Sequence, residues 1–112
     1  MKHSEMSPLE IEFHNEMLKV SEEAKKQKYY PTYFLQMVHE LAGVKAAKQL
    51  LAKKEIQPGL MKLFELGLLR TSMEAYTIQD RFRLLFSDEE VIEARRRLEE
   101  LNYFKKEQKP NG

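Results

Sequence analysis

A histidine followed by a glutamate, as in His39-Glu40, opens the helical motif in which two histidines four residues apart hold zinc and the glutamate acts as base. Here the second histidine would stand at position 43, which is Gly43, so the ligand pair is missing. His3 belongs to the N-terminal end and His14 sits beside an apolar stripe; both are expected to be solvated or at a helix boundary. Eighteen carboxylates could supply acid/base chemistry, but paired catalytic carboxylates need a cleft. Glu22 with Lys26 and Glu93 with Arg97 stand in the i,i+4 order of ion pairs along a solvated helix face. Gly59 and Gly67 are isolated, so there is no glycine-rich phosphate loop, and no serine sits in a nucleophile elbow. The absence of cysteine removes disulfides, thiolate metal sites and cysteine nucleophiles together. No enzymatic activity, metal or cofactor is expected.

Basic residues are the next candidates. Arg95-Arg96-Arg97 is the densest cluster, yet three successive helical residues fan over about 200° and cannot form one tight patch. Glu93, Glu99 and Glu100 flank them, which makes intrahelical pairing their expected role. Lys45, Lys48, Lys53 and Lys54 have fewer acidic neighbours. The turn Ala42-Gly43-Val44 just before them invites a helix-turn-helix reading. That motif wants a small residue where His39 stands and an apolar one where Gln49 stands, so the match is poor. Tyr29, Tyr30 and Tyr33 could stack on single-stranded bases, but aromatics beside Pro31 are expected to staple and cover a helix start. Globally, 19 basic residues face 18 acidic ones, without the surplus of a phosphate binder.

The elements that would position these groups are helical. A chain of 112 residues makes one domain and needs no staples to fold. Ser7-Pro8 should start a first helix with Leu9, Phe13, Met17, Val20 and Ala24 along one stripe. A second should run from Pro31 or Thr32 to Ala42 with Phe34, Val38 and Leu41 inward, stopped by Gly43 as a left-handed cap. Val44, Ala47, Leu50 and Leu51 mark a third, ending near Lys54. Leu60, Leu63 and Phe64 mark a fourth, closed by Gly67. Ser72 caps a short segment, and a further turn holds Phe82, Leu85 and Phe86. Ser87-Asp88-Glu89-Glu90 is a capping box opening the last long helix, with Val91, Ala94, Leu98 and Leu101 buried. Phe13, Phe34, Phe64, Phe82 and Phe86 should carry the core. The expectation is all-α: a compact bundle of about six or seven helices, long ones first and last around short ones. It forms a single domain over 1–104 with a flexible tail at 105–112.

The first helix has one asymmetry. Ile11 and Leu18 point nearly opposite to the middle of its apolar stripe. A helix apolar on two sides either lies between layers or meets another chain. Ile11 and Leu18 are therefore the candidate protein contact, to a second copy in a homodimer or to a partner protein. A nucleic-acid accessory protein is the alternative, with Lys45, Lys48, Lys53, Lys54, Arg95, Arg96 and Arg97 as contacts. No apolar run approaches a membrane span and the N-terminus has no signal-peptide core, so a cytoplasmic location is expected.

Pro31, Phe34-Leu35-Gln36-Met37-Val38, Gly43-Val44-Lys45-Ala46-Ala47-Lys48, Gly59, Leu63-Phe64-Glu65-Leu66-Gly67 and Ser72-Met73-Glu74 form a pattern. It continues through Phe82-Arg83, Leu85-Phe86-Ser87-Asp88-Glu89-Glu90, Ala94-Arg95-Arg96-Arg97-Leu98 and Asn102-Tyr103. The pattern resembles a small helical module of bacterial proteins, found alone or appended to restriction-type nucleases. Phe64 stands where that pattern has tryptophan, and Asn102 where it has glycine. The resemblance covers about residues 30–104, leaves the two-sided first helix outside, and implies a shared helical fold without an assigned activity.

Overall fold

In a computed structural model, residues 6–104 are described, and they form six α-helices and two 3₁₀ segments without a strand. The helices are α1 (Pro8–Lys26), α2 (Thr32–Leu41), α3 (Gly43–Leu51), α4 (Pro58–Glu65), α5 (Met73–Thr77) and α6 (Asp88–Glu100). The 3₁₀ segments are Leu69–Thr71 and Asp80–Leu85. The all-α bundle with long first and last helices is thus present. His3 and the tail at 105–112 lie outside the described residues. None of the described helices is long and apolar enough to cross a membrane.

Local chemistry explains most boundaries. Ser7 caps α1 and Ser87 caps α6, each accepting from the N–H three residues on while Glu10 or Glu90 accepts from the cap N–H. Ser72 caps α5 through the N–H of Ala75. At the other ends, α1 and α4 close in the same way. Lys28 and Gly67 take positive φ (63° and 74°), and the next N–H, of Tyr29 or Leu68, reaches back to the carbonyl of Ala24 or Leu63. Asn102, after α6, also has φ 59°. Asparagine tolerates this left-handed conformation better than most residues.

The α2–α3 corner departs from expectation. Ala42, not Gly43, takes the positive φ of 78°, and Gly43 is the first residue of α3. Glycine is required there for space: a Cβ on Gly43 would come within 2.7 Å of the His14 Cα in α1. Other corrections are smaller. α3 ends at Leu51 rather than near Lys54, and Phe64 is exposed rather than part of the core.

The core is built on α1. Phe13, Met17, Val20 and Ala24 are all buried, as the stripe requires, against α2, α3, α5 and the second 3₁₀ segment. Phe13 meets Phe82 and Phe86 edge-on, with ring centroids 5.0 and 5.1 Å apart. Such pairs contribute about 0.5–1.5 kcal/mol each beyond area burial. A second cluster, Leu60, Leu69, Leu98 and Leu101, joins α4 to the end of α6.

Candidate functional site

The turn after α1 shapes one wall of a concavity. Lys28 reverses the chain, Tyr29 folds back half-buried, and Pro31 forces the chain into the first turn of α2. Across from it, Gln57-Pro58-Gly59 opens α4. Between these two helix starts lies a cavity of about 500 Å³, floored by Leu50 of α3 and by Met73 and Glu74 of α5. A Cβ on Gly59 would stand 3.4 Å from the Tyr29 hydroxyl, so the glycine keeps this wall thin. Tyr30 and Tyr33 line the cavity while remaining 63% and 66% exposed, which puts them at its open edge. Only Tyr29 acts as cover, the role expected for all three tyrosines, and burial pushes its phenol pKa up.

Glu74 is the charged residue of this lining. Its side chain is 5% exposed and accepts from Nη1 of Arg97 at 3.0 Å. Burial pushes the Glu74 carboxyl up, against the downward pull of the Arg97 charge. Arg97 itself is fully buried: Nε donates to Glu93 at 2.7 Å and Nη2 to the carbonyls of Leu50 and Lys53. The guanidinium therefore satisfies carbonyls at the end of α3 and a carboxylate of α5 from its place on α6. Glu93 also accepts from Arg96, and this pairing together with Arg97 holds its carboxyl down at about 2 despite partial burial.

These contacts redistribute the seven cations expected to meet nucleic acid. Arg97 is sealed in the interior and cannot reach a phosphate. Arg96 is held by Glu93 and Glu100. Lys48 is paired with Glu90 at 2.8 Å. Burial raises the Glu90 pKa, but the hydrogen bonds from Lys48 and the Ser87 backbone prevail and hold it below the usual carboxylate range. Arg95 stacks its guanidinium on Phe104, 5.2 Å from the ring centroid, and is exposed, as are Lys45, Lys53 and Lys54. The seven residues thus do not form one free basic surface.

The expected protein contact also divides. Ile11 is 44% exposed, but Leu18 packs partly buried against the core, because neighbouring elements wrap more of α1 than its stripe alone would need. Of the histidines, His14 accepts at Nδ1 from the Gly43 N–H at 3.0 Å, and His39 is exposed. Among the described residues, no three His, Asp or Glu side chains are grouped to hold a metal ion.

Sequence reasoning missed Glu74 and the cavity, since a glutamate in the first turn of a short helix looks like an ordinary dipole partner. Comparison with protein-family models, curated proteins and solved structures gives no significant match.

Proposed function

We propose that the chain is a non-enzymatic interaction module that receives an apolar group of its partner in the cavity between the α1–α2 turn and the start of α4. One observation carries this reading: a cavity of about 500 Å³ edged by two exposed tyrosines. Folded interiors are close-packed, and voids larger than a water are few. Ligand pockets run to about 300–1,000 Å³, with apolar and aromatic walls and few polar groups. The test is a fragment screen by amide chemical-shift mapping on the whole chain, repeated with Gly59→Leu. Gly59 has no positive φ and a Cβ there would meet only the Tyr29 hydroxyl, at 3.4 Å, so the leucine is designed to add bulk to this wall of the cavity. Shifts clustered on Tyr29–Phe34 and Gln57–Leu63, lost in the variant, support the reading. Shifts elsewhere, or none, overturn it.

Self-association is the second reading. It is favoured by the exposure of Ile11 on α1, Leu84 in the second 3₁₀ segment and Ile92 on α6. Its test is the solution mass by light scattering at low and high salt, where an apolar dimer persists at high salt and a monomer ends the reading. Nucleic-acid binding has less support, because Lys48, Arg96 and Arg97 are engaged within the chain.

A further inference from the structure

We infer that the occupant of the tyrosine-edged cavity is a small organic cation: an ammonium group on an aromatic or branched apolar body. This rests on the cavity being a binding site and adds the charge of what it binds.

Three observations carry the sign. First, Tyr29, Tyr30, Tyr33 and Phe34 all line the cavity, contributed by the α1–α2 turn and the start of α2. The face of an aromatic ring is negative, so rings around a pocket attract a cation, by more when the cation is desolvated. Second, the charged side chain in the lining is a carboxylate, Glu74, and no Lys, Arg or His is among the lining residues. Third, the counter-charge behind Glu74 is shared. Arg97 serves Glu74 and Glu93 at once, and Arg96 serves Glu93 and Glu100. With all three carboxyls ionised, two guanidiniums face three carboxylates, which leaves the cluster one negative charge in excess. Glu74 is its member on the cavity side, and a buried carboxylate in this position gains from a second cation.

An anion would meet the same carboxylate. The N–H ends of α2 and α4 and the hydroxyls of Thr32 and the tyrosines, which also border the cavity, would favour it, but none of them carries a full positive charge. A neutral guest would use the apolar walls and the hydroxyls but gain nothing from the charge of Glu74.

The experiment separates these by titrating the whole chain with three probes of one shape: 2-phenylethylammonium, 2-phenylethanol and phenylacetate. Calorimetry gives affinity, and amide shifts give location. The cation is expected to bind at least about tenfold tighter than the alcohol, equivalent to about 1.4 kcal/mol, with phenylacetate weakest. Tyr30→Leu with Tyr33→Leu keeps apolar bulk at two exposed positions and should shrink the cation's advantage several-fold. Tyr30→Phe with Tyr33→Phe should preserve it. Glu74→Gln should lower it too, and its helical signal is checked because Arg97 loses a charged partner. An alcohol that binds as tightly as the cation overturns the inference while the cavity still stands as a site. A tighter anion, or an unchanged ratio in the leucine pair, overturns it equally. Failure of all three probes to shift cavity residues removes the site itself.

Discussion

The backbone N–H of Gly43 donates to Nδ1 of His14 at 3.0 Å, tying the first turn of α3 to the middle of α1 across 29 residues of chain. α3 begins at a buried corner with no side-chain cap of its own, so a histidine from another helix fills that role. The bond requires Nδ1 to be the nitrogen without a proton. His14→Ala leaves a buried N–H without its acceptor, and stability should fall by about 1–3 kcal/mol. Urea denaturation followed by helical circular dichroism measures it; an unchanged midpoint would show that the bond contributes nothing.

Gly43→Ala tests the same corner from the other side. In an exposed helix this change stabilises by up to about 1 kcal/mol. Here the new Cβ meets the backbone of His14 at 2.7 Å and Met17 Cγ at 3.2 Å, and neither helix can yield cheaply. We predict a loss of about 1–3 kcal/mol, read as a lowered melting temperature. A gain would mean that α1 moves freely against α3.

Arg97 and Glu74 should behave as a coupled pair. Arg97→Met strands a buried carboxylate and two carbonyls and should cost about 3–5 kcal/mol. Adding Glu74→Leu removes the stranded charge and should recover a substantial part of that loss. A double-mutant cycle on unfolding free energies gives the coupling; additive single effects would contradict the pairing.

Acid should weaken the fold through Glu93. Its carboxyl is held at about 2 in the folded chain against an ordinary 4.5. A group with a lowered folded pKa contributes stability that is present above the unfolded value and lost as pH falls toward the folded one. Stability should therefore decline between about pH 4.5 and about 2. Glu74 opposes this, because its pKa is raised and its protonation on acidification relieves a buried charge. Glu93→Gln should flatten the acid limb of the stability profile; an unaltered limb would assign it to other carboxylates.

Ile11 and Leu18 separate under mutation. Ile11→Glu should change stability by less than about 0.5 kcal/mol, whereas Leu18→Glu should cost about 1–2 kcal/mol through the core it touches. If the chain dimerises through α1, Ile11→Glu alone is enough to yield monomers in light scattering. A dimer unaffected by it excludes this face.

Features that depend on near neighbours were legible before the fold. Ser7, Ser72 and Ser87 announce helix starts because an N-cap needs only its own next turn, and the Phe13–Ala24 stripe shows which side of α1 is buried. Features that depend on distant chain were not. Among three consecutive arginines, nothing local marks Arg97 as the buried one; the carbonyls of α3 and the carboxylate of α5 decide it. Gly43 looks like a helix stop, since a glycine placed for close approach and one placed for positive φ read identically. The cavity was hidden for the same reason. Its tyrosines sit near Pro31, as a staple would, and only the fold, which brings Gly59 and Glu74 into the same lining, shows that they border a space.

The setting of Arg97 also bears on how the molecule comes apart. A guanidinium cannot leave water until its acceptors are assembled, and these come from α3, α5 and α6. Any form with α3 or α5 detached must rehydrate it. The three helices consequently lock and release as one cooperative unit. Five-residue α5, too short to persist alone, is therefore expected to exchange its amides no faster than the long helix that holds it.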